Sequence, residues 1–405
     1  MPNPLANKRI ILGITGGIAV YKAATICSRL VQAGAQVDVV MTASAQQFIT
    51  PTTFQALTHR RVYTDMFDIP SGENIPHITL ADEADLLIIA PATANTLAKL
   101  AHGLADNLLT AIALATPAPM LIAPAMETDM WQHPATQANF GILKRWTNKI
   151  NFIGPATGRL ASGAQGLGRM VEAEEVVNQA QHLLAQQGDL AGLRVVITAG
   201  GTREAIDPVR FVSNHSSGKM GYALATTARD RGARVTLIST VALPEPFGLD
   251  IVRVNSAAEM LNAVLSHSNQ ADTLIMAAAV ADFRPKTVAE QKIKKVAETE
   301  GLTLEMVRNP DILAEVAAQK ERGFGPRITV GFAAETENLM ANAQSKLARK
   351  KLNFIAANNV SATDAGFAVD TNRVTLLFAN GTIEELPLMS KVAVADIIWD
   401  KVKQL

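Results

Sequence analysis

The stretch Val195–Gly221, VVITAGGTREAIDPVRFVSNHSSGKMG, decides how the chain is read. It opens with Val195-Val196-Ile197, a β-branched apolar run of the kind that forms a buried parallel strand. Ala199-Gly200-Gly201 follows, and a strand that ends in Gly-Gly lets backbone approach either another backbone or a phosphate. Asn214-His215-Ser216-Ser217-Gly218-Lys219 then crowds donors in front of a helical pattern over Tyr222–Arg231. A helix start with free N–H groups, hydroxyls and one lysine suits an anionic ligand. The stretch is not a P-loop. That motif needs glycine five residues before Gly218 and a hydroxyl residue after the lysine, and here Ser213 and Met220 hold those places. The plainer alternative is a polar loop with a solvated lysine, but Arg203, Asp207, Arg210 and Lys219 on one long connection favour a ligand site.

Outward from this stretch, the two halves of the chain rhyme. Arg9-Ile10-Ile11-Leu12 leads into Gly13-Ile14-Thr15-Gly16-Gly17 much as Val195–Ile197 leads into Thr198–Gly201. A helical pattern follows each and stops at a glycine, Gly34 or Gly232, before a strand at Val37–Met41 or Val235–Ser239. Further on, Ala84-Asp85-Leu86-Leu87-Ile88 answers Ala271-Asp272-Thr273-Leu274-Ile275. The pattern predicts an α/β protein of two doubly wound, largely parallel-sheet, Rossmann-like domains, each binding its ligand past the strand C-termini. A closing helix over Val177–Leu184 and a break at Gln187-Gly188-Asp189 put the boundary between residues 1–187 and 188–405. The second half closes with a helix near Val392–Val402.

Composition agrees with that plan. A chain of 405 residues is long for one core, and 48% hydrophobic with 18% charged residues is ordinary for a soluble α/β protein. A formal net charge of +0 offers no nucleic-acid surface and no polybasic membrane anchor. The one cysteine, Cys27, rules out an intrachain disulfide and fits a reducing compartment such as the cytoplasm. No secretory leader pattern precedes Lys8. The uncharged run Leu108–Met126 is divided by Pro117, Pro119 and Pro124 into a helix and a short strand, so it is not expected to span a membrane.

In the first half, small and polar residues collect at expected strand ends: Gly16-Gly17, then Thr42, then Thr93, Asn95 and Thr96. Hydroxyls, an amide and a Gly-Gly turn at successive C-termini describe a mononucleotide site. No Gly-x-Gly-x-x-Gly supports a dinucleotide. His77, at the start of an amphipathic segment, is a candidate base because imidazole titrates near neutrality.

The motifs TGGIAVYKA, HITL, APATANTLAK, GLADNLL, PAM and MWQHPATQ resemble the homo-oligomeric flavin-containing cysteine decarboxylases. TAGGTREAIDPVRFVSNHSSGKMG, AAAVADFRP, KIKK, NPDIL, GFAAET and KLARKK resemble phosphopantothenate–cysteine ligase. Joined in this order, they look like the bacterial bifunctional enzymes of coenzyme A biosynthesis. The resemblance implies a flavodoxin-like FMN-binding half and a ligase half. The ligase would use CTP and Mg2+ (or Mn2+) to activate the carboxylate of 4′-phosphopantothenate as an acyl-cytidylate, which the amine of cysteine then opens. It implies Asp282 (also the metal position), Phe332 and Asn309-Pro310-Asp311-Ile312 at the nucleotide, with Lys292, Lys346 and Lys350 supplying positive charge. Lys346 and Lys350, four apart on a helix, would face one triphosphate. Asn214 and Arg210 would handle the acyl-cytidylate and phosphopantothenate. A homo-oligomer of trimeric flavoprotein and dimeric ligase contacts, up to a dodecamer, is also implied.

Two positions depart from the family pattern. Glu127 replaces the asparagine of a PAMN motif, and Ser162 replaces the cysteine of an A-C-G segment that supplies the decarboxylase's catalytic acid. A serine hydroxyl is a weak acid, and an ionised Glu127 beside the substrate carboxylate adds repulsion of roughly 4 kcal/mol at about 4 Å. Beside the reading with two activities, this pattern raises a second: an active ligase whose flavoprotein half is impaired and serves as an oligomerisation scaffold.

Overall fold

The structure is a computed structural model that describes residues 3–67, 76–146, 149–294, 301–335, 339–359 and 369–405. Lys295 of the KIKK segment and Thr336 of GFAAET lie outside the described residues. The chain divides into two compact units, Asn3–Ala185 and Gln186–Leu405.

The first unit carries strands β1 (Arg9–Ile14), β2 (Gln36–Met41), β3 (Val62–Tyr63), β4 (Leu86–Ala92), β5 (Met120–Pro124) and β6 (Ile150–Phe152). They form one sheet in the order β3-β2-β1-β4-β5-β6, with every neighbouring pair parallel. An outlying antiparallel hairpin pairs β7 (Ala156–Arg159) with β8 (Gln165–Arg169). The helices are α1 (Val20–Gln32), α2 (Pro51–Thr58), α3 (Pro76–Glu83), α4 (Ala94–Ala101), α5 (Leu108–Ala115), α6 (Thr128–Gln132), α7 (Pro134–Lys144) and α8 (Ala173–Ala185). The run Leu108–Met126 is thus helix then strand, as its prolines require. Strands β1 and β4 are buried almost throughout because helices cover both faces of the sheet. On one side, Val20, Ala23, Ile26, Cys27 and Leu30 of α1 share a core with Val176, Ala180 and Leu183 of α8. On the other, Leu97 and Leu100 of α4 and Leu109 and Ile112 of α5 pack on Ile11, Leu87 and Ile89.

The second unit repeats the plan. Strands β9 (Arg194–Ala199), β12 (Arg234–Ser239), β13 (Asp250–Arg253), β14 (Thr273–Met276), β17 (Ile328–Glu335) and β18 (Phe354–Asn359) run parallel in the order β13-β12-β9-β14-β17-β18. Strands β20 (Val374–Phe378) and β21 (Ile383–Glu385) extend the sheet antiparallel. Short antiparallel pairs join β10 (Arg203–Ala205) to β11 (Phe211–Ser213), β15 (Phe283–Pro285) to β16 (Met306–Arg308), and β19 (Thr371–Asn372) to β22 (Met389–Ser390). Its helices are α9 (Lys219–Asp230), α10 (Ala257–Ser268), α11 (Ile312–Glu321), α12 (Leu339–Arg349) and α13 (Lys391–Lys403). The indole Nε1 of fully buried Trp399 donates to the Leu224 carbonyl at 2.9 Å, fastening α13 to α9.

The rhyme in sequence is therefore a rhyme in hydrogen bonds. Asp85 accepts from the Arg9 N–H at 2.9 Å, and Asp272 accepts from the Arg194 N–H at 2.8 Å. Each aspartate aligns the start of the first strand of its unit with the fourth. At the other end, buried Thr15 donates to the Pro91 carbonyl and accepts from the Thr93 N–H, while buried Thr198 accepts from the Ala278 N–H. These threonines sit where strand order reverses, the point at which doubly wound sheets bind ligands. Among the described residues, no helix is long and apolar enough to cross a membrane.

Candidate active sites

In the first unit, a cavity of about 280 Å³ opens at this reversal. Gly16 and Gly17 after β1, Pro91 and Thr93 at the end of β4, and Met126 and Glu127 after β5 line it. The β7–β8 hairpin adds Arg159, Ala161 and Arg169. No side chain caps the start of α1, where Ile18, Ala19 and Tyr21 line the cavity beside Gly17, whose missing Cβ faces open space. The small residues and the helix start fit a flavin mononucleotide: room for a flat ring, and donors for a phosphate.

The sequence expectations meet here unevenly. Gly16, Gly17, Thr93 and Glu127 line the cavity, whereas Thr42, Asn95, His77 and Ser162 do not. Thr42 spends its hydroxyl on its own turn, bonding the Ile14 carbonyl and the Ala45 N–H. Asn95 is exposed in the first turn of α4. His77 stands at the start of α3, and its Nδ1 is buried with no hydrogen-bond partner among the described residues. A buried imidazole nitrogen held without a partner is the kind of group that a ligand satisfies.

Ser162 and Glu127 meet each other. The Ser162 hydroxyl lies 3.0 Å from Glu127 Oε2, and the Ser162 N–H points to Oε1 at 3.4 Å. The two departures from the family pattern are one contact, and not two separate losses as sequence reading had them. Sequence reading also missed Lys22. Its buried ammonium lines the cavity and bonds the Met170 and Val171 carbonyls and the Glu172 carboxylate, tying the chain after the β7–β8 hairpin to α1. The signal was available: Lys22 is a charge on the otherwise apolar core-facing side of α1.

In the second unit, two cavities of about 700 and 570 Å³ share Ala278, Val280, Asp282, Phe332 and Lys346. The larger adds Asn309, Pro310, Asp311, Ile312, Arg349 and Lys350. The smaller adds Asn214 through Gly221 at the start of α9, with Lys391 across from them. Asn309 fixes the loop that carries Asp282: its backbone N–H donates to the Asp282 carbonyl and its amide to the Ala281 carbonyl, both at 2.8 Å. Asp311 caps α11 and pairs with Lys350 at 3.0 Å. Burial raises the Asp311 carboxyl, but Lys350 beside it more than offsets this and leaves it below its ordinary range. Lys350 lies just past the end of α12, yet it and Lys346 face the same cavity. Burial, and then neighbouring Lys219, depress the Lys391 ammonium, while Asp370 works against them.

Arg210 and Lys292 line neither cavity. Arg210 is bound to Asp207 through Nε at 2.9 Å and to the Ile293 carbonyl at 2.8 Å, and the Ile293 N–H donates to Asp207. Arg210, with backbone donors helping, holds the buried Asp207 carboxyl well below the usual carboxylate range. The arginine expected to grip substrate is thus part of a clamp on the backbone beside Lys292, which is itself exposed. Gly200 and Gly201 also stay out of the cavities. The Gly200 carbonyl accepts from Ala279, so of the two uses open to this Gly-Gly turn, backbone meeting backbone is the one observed. For a divalent ion, Asp282 is the carboxylate shared by both cavities. Among the described residues, no three metal-ligating side chains gather, so the remaining ligands there would be nucleotide phosphates and water, as Mg2+ commonly takes.

The profile of the family described as Flavoprotein matches residues 1–185. That of the DNA/pantothenate metabolism flavoprotein C-terminal domain matches residues 190–405. The coenzyme A biosynthesis bifunctional protein CoaBC of Bacillus subtilis (strain 168) is 50% identical over 405 residues, 99% of this chain and 98% of that protein. The chain belongs to the CoaBC family. The CoaBC of Vibrio cholerae (El Tor Inaba N16961) is 49% identical over 97% of each chain. A solved C-terminal domain of a CoaBC protein is 41% identical over 53% of this chain and 95% of that one, with a TM-score of 0.44. The chain is a bifunctional enzyme of coenzyme A biosynthesis that joins a ligase to a flavin-dependent decarboxylase. An impaired flavoprotein half is not favoured over two working halves.

Proposed function

We propose that the second unit condenses 4′-phosphopantothenate with cysteine at the expense of CTP, and that the first decarboxylates the product to 4′-phosphopantetheine on FMN. The observation that carries the ligase reading is the pair of cavities meeting at Asp282, Phe332 and Lys346, one rich in cations and one at a helix start. A triphosphate and a carboxylate repel each other, so their reaction needs positive charge between them. Lys346, Lys350 and Arg349 would hold the triphosphate, and Asp282 would hold a divalent ion there to supply further positive charge. Asn309, Pro310, Asp311 and Ile312 shape the nucleotide pocket. Asn214, its amide already turned to the Val280 carbonyl, borders the acyl-cytidylate. Lys292, exposed beside the Asp207–Arg210 clamp, closes over the reacting carboxylate when substrate is present.

In the first unit, Gly16, Gly17 and Thr93 hold FMN, with its phosphate at the start of α1. Bound flavin supplies a hydride acceptor that turns the cysteinyl carbon skeleton into one able to lose CO2. The chain's own groups orient the substrate, and His77 offers its buried nitrogen as a base. Exposed Ile18 and Tyr21 at the cavity mouth suit a further copy of the chain covering the flavin, so we infer a homo-oligomer with trimeric flavoprotein and dimeric ligase contacts. The site is in the cytoplasm, and small molecules rather than nucleic acid are its partners.

Incubation with cysteine, CTP and 4′-phosphopantothenate, read by mass, tests this function. Pyrophosphate, CMP and 4′-phosphopantetheine are the expected products, from a yellow protein. Absence of pyrophosphate release would overturn the ligase reading, and a colourless protein that takes up no FMN would overturn the other.

A further inference from the structure

The geometry points to Glu127 as the acid that protonates carbon in the decarboxylation, with Ser162 as its positioning residue. This rests on the proposed FMN-dependent decarboxylation. Losing CO2 from carbon always leaves that carbon one proton short, so a donor must stand at the site. A thiol is not available. The chain's one cysteine, Cys27, lies fully buried in the core face of α1 and outside the cavity, and burial pushes its thiol up to about 12. Glu127 lines the cavity at the end of β5 and is half-buried there. Its two oxygens accept from the Ser162 hydroxyl at 3.0 Å and the Ser162 N–H at 3.4 Å, and Ser162 itself lies outside the cavity lining. The same hydroxyl receives the Ala164 N–H at 3.4 Å, which closes a small loop at the tip of the β7–β8 hairpin. Ser162 is exposed and joins the carboxyl to solvent.

The charges around Glu127 fit the role. Lys22 of α1 and Arg169 of β8 border the cavity but both bond Glu172, and Arg159 of β7 borders it as well. Asp129 adds a negative charge in the first turn of α6. A substrate carboxylate brought next to Glu127 places two negative charges together, which favours uptake of one proton on binding. When that carboxylate departs as CO2 the like charge goes with it, and the Glu127 carboxyl is free to give the proton up. Repulsion between the two carboxylates becomes the means of loading the acid.

The bonding pair left by CO2 becomes the C=C of an enethiolate. The Glu127 O–H bond breaks, its proton bonds to the carbon that carried the carboxylate, and the sulfur-bearing carbon becomes a thiocarbonyl. That carbon then receives the hydride that the flavin took in the oxidation, so no net oxidant is consumed. Solvent returns a proton to Glu127 through Ser162.

Single turnovers of flavin-loaded protein with 4′-phosphopantothenoylcysteine test this, followed by CO2 release, flavin absorbance and product mass. E127Q is expected to bind flavin and release CO2, then stall with bleached flavin and a product lacking two hydrogens. Return of the hydride should slow by roughly 10²–10⁴-fold. Calorimetry with the thiol-free analogue 4′-phosphopantothenoylserine in buffers of different ionisation enthalpy gives a second readout. Wild type should take up about one proton more than E127Q. S162A should keep that uptake while the return step slows roughly ten- to a hundredfold. The inference is overturned if E127Q yields fully reduced product at the wild-type rate, if its proton uptake matches wild type, or if it binds the analogue but releases no CO2 from 4′-phosphopantothenoylcysteine. Should E127Q lose flavin, an S162A return step as fast as wild type overturns it. A wild-type protein that holds FMN yet releases no CO2 instead sinks the decarboxylase reading itself.

Discussion

The two units set the same six parallel strands in the same order and open their cavities at the same reversal, yet they line them differently. In the first, Gly16, Gly17, Ile18, Ala19, Pro91 and Met126 make a small slot, with Lys22, Glu127, Arg159 and Arg169 also in its lining. In the second, Arg308, Lys346, Arg349 and Lys350 face Asp282 and Asp311 across more than twice the volume. A resident cofactor is served by shape and backbone donors, which hold it through every turnover. The triphosphate of the proposed ligase reaction, which would enter, react and leave as pyrophosphate, would be served by these cations. The sheet fixes where a ligand binds, and the loops fix which ligand.

The largest effect should come from the turn glycines, where the two units can be broken separately. A Cβ on Gly16 would stand 2.4 Å from the Ser44 Cβ and 2.9 Å from its backbone carbon, and one on Gly201 would stand 2.5 Å from the Asn214 carbonyl oxygen. Gly16→Ala should abolish flavin absorbance and leave pyrophosphate release intact, and Gly201→Ala should do the reverse, each overpacking by about 1–3 kcal/mol. If either substitution removes both activities, the sites do not work independently.

Next in size, the cations sharpen the contrast within the ligase. Lys346→Ala should weaken CTP binding by roughly 30–150-fold, the worth of a charged hydrogen bond, about 2–3 kcal/mol. Lys292→Ala should leave CTP affinity unchanged and block product formation, because Lys292 lines neither cavity. Equal losses in a calorimetric titration of the two variants would show their roles to be misassigned. Lys350→Ala should cost less, about 1 kcal/mol or fivefold, since Asp311 already offsets its charge.

The smallest effect concerns how the units hold themselves shut. In the first, α8 closes against α1 through apolar side chains, with one exposed pair, Arg29–Glu174, at the surface. In the second, nearly buried Arg231 gathers Asp189, Asp396 and Asp400 at 2.7, 2.9 and 2.7 Å. Arg231, working against burial, holds the Asp189 carboxyl down at about 2. Since this lies below the ordinary value near 3.9, its stabilisation is complete above about pH 4 and fades as pH falls toward 2. Asp189 is 40% exposed, so solvent screens the pair and ~0.5–1 kcal/mol is expected. Asp189→Asn should lower the melting temperature at pH 7 and converge with wild type near pH 2. A gap that widens on acidification would refute the assignment.

Most of this architecture was legible because it is periodic. The apolar runs, the glycine after each first helix and the paired Ala-Asp before each fourth strand all follow from local rules, and the aspartates turn out to be strand-aligning acceptors. The cavity linings were legible where a residue follows closely on a strand, as Gly16, Gly17 and Thr93 do. The bonds of Thr42 were not legible, because a hydroxyl at a strand end can serve the neighbouring backbone as readily as a ligand. That Arg210 is bound by Asp207 was not legible, because nothing in the sequence says that a carboxylate three residues earlier will pair with it. The Glu127–Ser162 contact joins residues 35 positions apart through a hairpin whose reach no local pattern encodes.

The fastening of α13 to α9 has a consequence for the order of synthesis. The first core is complete once α8 has emerged, and it can close while the rest of the chain is still being made. The second core counts Val394, Ile398, Trp399 and Val402 of α13 among its members, so α9 must wait for a partner made some 160 residues later. At roughly 5–20 residues per second, that wait lasts on the order of 10–30 s, with Tyr222, Leu224 and the strands beneath them open to other chains. Nascent ligase halves are therefore where a chaperone has most to do. Slowing translation between α9 and α13 should raise aggregation of this half while leaving the flavoprotein half folded.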